Sequence, residues 1–358
     1  MLFEPLVAAS IQLANRTVMA PMTRSRALDA NTPNALMAEY YAQRTTAGLI
    51  VTEGTSPSPN GLGYPRIPGL FNDAQVRGWK AITDVVHAKG GKIFVQLMHT
   101  GRVTQLANLL AGAQVLGPMA QACPGQMYTD SRGMQPHSTP RAMTATDIAH
   151  AVGEYAKSAQ LAIEAGFDGV ELHAANGYLI EQFLNANVNL RTDPYGGSIE
   201  GRNRFALEVA RATAAAIGAH RVGIRLSPYG VFNSTGAFPD VEAQYLALTQ
   251  ELSELGLLYI HLLDHSAMGA PRVPAELKLR LRAAFKGLFI LAGGFDRASA
   301  ERALKADRAD LIAFARPFLA NPDLVERMRA DAPLNAIDMA TFYTPGPKGY
   351  TDYPALAA

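Results

Sequence analysis

Along this chain a helical apolar pattern, a glycine and a short apolar run recur. The junctions are Ala47-Gly48, Lys89-Gly90, Ala165-Gly166, Ile217-Gly218, Leu255-Gly256 and Lys286-Gly287. Each glycine suits a left-handed helix C-cap. Strand candidates follow at Leu49 to Gly54, Lys92 to His99, Gly169 to Ala174, Val222 to Ser227, Leu257 to Asp264 and Leu288 to Gly293. Thr17 to Met22 and Leu311 to Arg316 bring the count to eight. Between them, Asp147 to Ala165 places Ile148, Val152, Tyr155, Ala159 and Ile163 at helical spacing behind a Thr144 or Thr146 cap, and Val241 to Leu255 does the same with Tyr245, Leu248 and Leu252.

Short strands alternating with helices predict parallel βα units. The two faces of each strand differ. Ile93, Val95 and Leu97 share one face of their strand, and Phe94, Gln96 and Met98 the other. Ile224 and Leu226 oppose Gly223, Arg225 and Ser227. An aliphatic face suits packing against helices; a face carrying Gln96, His173 and Arg225 suits a barrel interior near its open end. The expectation is an α/β (β/α)₈ TIM barrel, with residues 1–358 forming one domain. An open doubly wound sheet competes, but no G-x-G-x-x-G follows the first strand. Glu53 and Glu171 face inward by parity and are expected to hold an interior network. After the third strand, about forty residues from Thr100 to Ala145 are rich in Gly and Pro, too long for an ordinary connection. They are expected to form an excursion, with a hairpin, covering part of the site.

Composition narrows the function. The 358 residues carry a net charge of +1, which points to neither nucleic acid nor an anionic membrane. A single cysteine, Cys123, excludes a disulfide framework and cysteine-ligated clusters. The first residues lack a signal-peptide pattern, and no apolar run is long enough to span a bilayer, so a cytoplasmic protein is expected.

The chemistry concentrates in G-V-E-L-H-A-A-N-G-Y, Gly169 to Tyr178. Glu171 and His173 share one face of a buried strand, which requires polar partners. Asn176 and Tyr178 follow in the turn. Two hydrogen-bonding side chains and a phenol thus gather at the C-terminal end of one strand, where barrels of this kind carry out chemistry.

Further motifs are M-A-P-M-T-R (Met19 to Arg24), M-A-E-Y-Y-A-Q-R (Met37 to Arg44), V-Q-L-M-H-T-G-R (Val95 to Arg102), R-T-D-P-Y-G-G-S (Arg191 to Ser198), A-N-P-D-L (Ala320 to Leu324) and G-Y-T-D-Y-P (Gly349 to Pro354). Together and in this order they make the chain resemble the Old Yellow Enzyme family of FMN-dependent ene-reductases, on the N-ethylmaleimide reductase and pentaerythritol tetranitrate reductase side. The resemblance implies non-covalent FMN, reduction by NADPH or NADH, and hydride transfer from flavin N5 to an activated alkene such as an enone, maleimide or nitroalkene. Nitrate esters are a further substrate class. A monomer or homodimer is expected.

The resemblance also implies roles. His173 and Asn176 match the pair that binds the substrate oxygen, and Tyr178 the proton donor. Pro21, Thr23, Gly54, Gln96 and Arg225 match positions around the flavin ring, with Thr23 at its O4 edge and Arg225 near N1 and O2. Gly293, Gly294, Ala315 and Arg316 match the phosphate site. Tyr64, Met98 and Tyr343 match residues lining the substrate pocket. No metal site is implied. Three departures stand out. Ala315 replaces a usual glycine. Met98 replaces a usual tryptophan, so a roomier pocket is expected. Gly201 replaces an asparagine, which is expected to loosen its corner. Arg191, Asp193 and Gly197 read as a structural motif. Two rivals compete: a metal-dependent or Schiff-base barrel, for which His261, Asp264 and His265 could mimic a ligand set, and a non-catalytic flavin-binding or scaffold protein.

Overall fold

The computed structural model describes residues 1–8 and 10–356. All eight expected strands form, each followed by helix: β1 (Thr17–Met19), α1 (Ala35–Ala42), β2 (Leu49–Thr55), α2 (Asp73–Ala88), β3 (Ile93–Leu97), α3 (Ala145–Glu164), β4 (Gly169–Ala174), α4 (Leu179–Leu184) and α5 (Ile199–Ile217). Then come β5 (Val222–Leu226), α6 (Val241–Glu254), β6 (Tyr259–Leu263), α7 (Ala275–Ala284), β7 (Leu288–Ala292), α8 (Arg297–Lys305), β8 (Leu311–Phe314), α9 (Arg316–Ala320) and α10 (Leu324–Ala330). The strands pair in parallel and close into one barrel, β8 returning to β1. No helix among the described residues is long and apolar enough to cross a membrane.

The alternation of side chains sorts into two cores. Ile93, Val95 and Leu97 of β3 pack outward with Trp79, Tyr155 and Phe167, while Phe94 turns inward with Val18, Val51, Tyr259 and Ile290. Ile11 and Leu13 of an N-terminal hairpin (Leu6–Ala8 with Ile11–Leu13) join that inner core, giving the barrel an apolar floor. Above it the interior turns polar, with Gln96, Glu171, His173, Arg225 and His261 all buried. Thr144 caps α3 with a full capping box, its side chain accepting from Asp147 N and the Asp147 carboxylate accepting in return.

The structure revises several expectations. Gly90, Gly166, Gly218 and Gly256 have positive φ, though ψ 132 takes Gly218 out of the left-handed helical region, whereas Gly48 and Gly287 do not have positive φ. At Gly48 the need for glycine is space, since a Cβ would lie 2.1 Å from Asn15 O. Gly201 does not loosen its corner: a Cβ there would lie 2.2 Å from Gly196 O, so the chain closes up where a side chain would stand. Glu53 does not face the interior. The β2–β3 ladder pairs Val51 with Phe94 and then Gly54 with Gln96, an extra residue on β2 that flips the parity. Glu53 instead accepts from Arg24 N at 3.2 Å and from Tyr41 of α1 at 3.4 Å, and Gly54 takes the inward position.

The excursion is built as expected. It contains the antiparallel hairpin Gln126–Thr129 with Gly133–Pro136, and Leu116–Gly117 pairs with Arg141–Ala142. Arg191 pins it to the loop after β4 by bonding Pro118 O and Met143 O at 2.9 and 2.8 Å while pairing with Asp193.

Candidate active site

At the C-terminal end of β4 the chain leaves the sheet through two consecutive left-handed residues, Asn176 (φ 59) and Gly177 (φ 74). Asparagine tolerates the left-handed region better than most side chains. The surroundings hold the turn closely. Asn176 N donates to Ser227 Oγ at 3.0 Å, Asn176 O accepts from Asn233 Nδ2 at 2.7 Å, and Gly177 N donates to Glu181 Oε2 at 2.5 Å. Gln182 Nε2 reaches Gly177 O at 2.8 Å. The Asn176 Oδ1 atom is buried without a partner.

His173 lies at the same strand end, 3% exposed. Its Nδ1 accepts from Ala175 N at 3.3 Å, so the ring proton sits on Nε2. Burial, reinforced by the positive charge of Arg225, keeps the imidazole neutral by holding its pKa well below the usual range. Tyr178 stands edge-on to that ring with centroids 4.9 Å apart, and its hydroxyl donates to Tyr64 Oη at 3.1 Å. Burial holds the phenol well above its ordinary pKa. Tyr64, Tyr178, Thr23 and Tyr343 line one cavity of about 740 Å³, closed on its outer side by Met127, Tyr128 and Met134 of the excursion.

Below this mouth lies a polar layer. The Glu171 carboxylate accepts from Gln96 Nε2 (2.8 Å), Tyr259 Oη (3.1 Å) and His261 Nδ1 (2.9 Å). Burial alone would raise its pKa, but His261, Arg225 and Gln96 outweigh that and hold it below the usual carboxylate range. Arg225 stays beside His173 and His261 in the strand register. Arg225 Nε and His261 Nε2 are both buried without a partner, a donor and an acceptor left open above the Glu171 network. The edge of a heteroaromatic imide, bearing carbonyl oxygens and an N–H, fits that pair. Inward-facing Gly54 has the Met98 thioether against it, a Cβ there lying 2.5 Å from Sδ.

After β7 and β8 the backbone offers an anion cradle. Gly293 (φ 131) and Gly294 (φ 69) both have the positive φ that favours glycine, and a Cβ on Gly293 would lie 2.2 Å from Asp264 O. Ala315 has φ −99, outside the left-handed region that would call for glycine. The Arg316 guanidinium is exposed, and its Nη2 contacts only the Met268 sulfur, at 3.5 Å, among the described residues. A phosphate group fits this open charge beside free amides.

Several sequence motifs assemble into one layer behind the site. Arg44 is fully buried, bonds Phe318 O (2.9 Å) and Leu319 O (3.1 Å) of α9, and stacks 3.8 Å over Tyr40. Tyr350 stacks on the other part of that motif, its ring 4.1 Å from Tyr40. Arg24 reaches Gly349 O at 2.7 Å and Arg26 reaches Phe342 O at 2.6 Å. These bonds bring the C-terminal segment, and Tyr343 with it, over the mouth.

Met98 is 1% exposed, lies against inward-facing Gly54 and packs with Leu62, Ile67, Val103, Cys123, Met127 and Tyr178, the last two of which line the cavity. Pro21 is buried in the turn after β1. His261, Asp264 and His265 do not converge: His261 serves Glu171, Asp264 pairs with Lys278 at 2.5 Å, and His265 packs on Phe232. No cluster of metal-ligating residues occurs among the described residues. The sequence reading also missed Glu181, Ser227 and Asn233, which hold the Asn176 turn. Ser227 stands one residue past a strand end and Glu181 in the first turn of the next helix, while Asn233 lies in the loop after β5 with no local signal.

Comparison with known proteins agrees with this geometry. Residues 1–335 match the model of the NADH:flavin oxidoreductase / NADH oxidase family. A chanoclavine-I aldehyde reductase, fgaOx3, from Penicillium roqueforti is 45% identical over 98% of this chain and 95% of its own. The structure of morphinone reductase superposes with a TM-score of 0.95 at 44% identity, covering 99% of this chain and 96% of the other. An Old Yellow Enzyme homologue from Zymomonas mobilis superposes at 0.94 with 40% identity over 99% of both chains. The chain belongs to the Old Yellow Enzyme family of flavin oxidoreductases and is an FMN-dependent ene-reductase that uses NAD(P)H to reduce activated carbon–carbon double bonds.

Proposed function

We propose that His173 and Asn176 bind the carbonyl or nitro oxygen of the activated alkene and that Tyr178 delivers the proton to its α-carbon. The observation that carries this reading is the edge-on contact of His173 with Tyr178 at the end of β4, with the buried, unpartnered Asn176 amide oxygen in the turn between them and Tyr178 on the wall of the cavity. FMN, when bound, supplies the hydride chemistry between nicotinamide and alkene. Gln96 and Arg225 would hold the pyrimidine edge of its ring, with Thr23, Pro21 and Gly54 along the remaining edge. Gly293, Gly294, Ala315 and Arg316 would hold its phosphate.

The chain's own groups then have distinct tasks. His173 offers an Nε2–H and Asn176 an amide N–H to one oxygen, so negative charge developing there meets two preorganised donors. Arg225 remains cationic and favours negative charge building nearby. Tyr178 keeps its proton at neutral pH and holds it at the wall of the cavity until the carbon becomes basic. Tyr64, hydrogen-bonded to Tyr178, and Tyr343 bound the space for the substrate body.

The test follows the visible spectrum of the FMN-loaded protein as NADPH and then cyclohexenone are added without oxygen. Flavin bands should bleach and return. In Tyr178→Phe the bleaching should persist while the return slows by at least tenfold; an unchanged return would remove Tyr178 from the reaction. His173→Ala should weaken binding of the enone, and unchanged affinity would remove the oxygen-binding role.

A further inference from the structure

Glu181 has no part in the roles above, yet it is built into the turn that carries them. It lies in the first turn of α4, 1% exposed. Every contact of its carboxylate is to a donor. Oε2 accepts from Gly177 N at 2.5 Å, and Oε1 accepts from Ser227 Oγ at 2.9 Å and Tyr245 Oη at 3.3 Å. Ser227 Oγ in turn accepts from Asn176 N. The amides of both left-handed residues therefore end on Glu181, one directly and one through a single hydroxyl. No cation pairs with the carboxylate among the described residues.

An arrangement of donors alone is complete only when the carboxyl is ionised. A proton on Oε1 would have to displace the Ser227 or Tyr245 hydrogen, and the relay to Asn176 would lose its direction. We infer that Glu181 is a positioning residue: its carboxylate locks the Asn176–Gly177 turn and so sets the aim of the Asn176 amide and the Tyr178 phenol. Protonation of this one buried group releases the turn and slows the alkene half of the reaction. The inference rests on the roles proposed for Asn176 and Tyr178.

The window is readable. Burial pushes the Glu181 carboxyl up to about 7, with the three donors pulling it back. Facing it are Gly177 from the turn, Ser227 from the end of β5 and Tyr245 from α6, whose phenol stays neutral because burial holds it well above its ordinary range. Elsewhere in the site His173 titrates well below this window and Tyr178 well above it. Glu53, pushed by burial to about 7, also falls in the window, but it sits between Arg24 and Tyr41 on β2 and is untouched by a change at Glu181.

The experiment measures reoxidation of the dithionite-reduced, FMN-loaded enzyme by cyclohexenone across neutral pH, with FMN content and melting temperature recorded for each variant. The wild-type rate should rise through about pH 7. Glu181→Gln should lower the rate about tenfold at alkaline pH and lose that rise, with the loss in kcat rather than KM. Ser227→Ala, a milder change, should keep the rise but move it to higher pH, because one donor to the ionised form is gone. A wild-type profile in loaded Glu181→Gln overturns the inference. If that variant fails to load, an unmoved profile in Ser227→Ala overturns it instead. Asn176→Ala separates the two levels: if it leaves reoxidation unchanged, the assignment of Asn176 falls; if it slows reoxidation while Glu181→Gln does not, only the role of Glu181 falls.

Discussion

Gly54→Ala tests how the barrel wall is packed. The bulge in β2 turns Gly54 inward, and a Cβ there would lie 2.5 Å from Met98 Sδ, 2.6 Å from Cε and 3.2 Å from Cβ. Ordinary carbon contacts lie at about 3.5–4.0 Å, so the thioether must move by roughly 1 Å. It has little room, being enclosed by Leu62, Ile67, Val103, Cys123, Met127 and Tyr178. Overpacking a core costs about 1–3 kcal/mol, and the flexible methionine favours the lower half, about 1.5 kcal/mol. At about 2.1 cal/mol/K per residue the chain unfolds with an entropy near 0.75 kcal/mol/K, so the melting temperature should fall by about 2 °C. The assay is a double-mutant cycle by thermal unfolding. Met98→Ala alone should cost about 2–5 kcal/mol. In that background Gly54→Ala should cost nothing, giving a coupling of about 1.5 kcal/mol. Because Met98 backs Tyr178, the single mutant should also change the enantiomeric ratio of a prochiral product, and the double mutant should change it differently. Two additive effects, within about 0.5 kcal/mol, would refute the contact.

Other perturbations have equally definite outcomes. Glu171→Gln should lower stability by about 3–5 kcal/mol and weaken FMN binding, since it leaves the Arg225 charge uncompensated and turns an amide donor toward Gln96, Tyr259 or His261; unchanged melting and FMN titration would contradict this. Arg44→Lys should also destabilise, by about 2–3 kcal/mol, because one ammonium cannot span Tyr40 O, Phe318 O and Leu319 O while stacking on Tyr40; a melt within 1 °C or so of wild type would refute it. Stability should decline as pH rises from about 4.5 through about 7. Glu53 and Glu181 are both raised by burial to about 7, so the folded protein holds protons that the unfolded chain releases, and each contribution is present below the unfolded pKa and lost above the folded one. The double variant Glu53→Gln/Glu181→Gln should flatten that decline in denaturant titrations at several pH values; an equal slope would exclude these two groups as its cause.

Much of this protein was decided by sequence alone. Eight βα units, six of them punctuated by glycine, are a local property, because caps, strand alternation and helical spacing each depend on residues a few positions apart. Alternation also assigned Gln96, His173 and Arg225 to the interior, and the strand end placed His173, Asn176 and Tyr178 together, since one strand and its turn carry all three. What the tertiary structure decided lies where the chain breaks its own period or where distant segments meet. The extra residue in β2 reversed Glu53 and Gly54, and parity cannot register a bulge that only the pairing with β3 defines. The packing of Met98 between Gly54 and Tyr178 was not legible, because its other neighbours come from the loop after β2 and from the excursion. Glu181, Ser227 and Asn233 carry no motif; they matter because β5 and its loop stand beside β4 in the closed barrel. The layer joining Arg24, Tyr40, Arg44 and Tyr350 likewise exists only once the C-terminal segment returns across the mouth. Local spacing can write the strands and the reacting groups. Holding those groups in one left-handed turn requires hydrogen bonds between residues up to 64 positions apart, and only the closed fold supplies them.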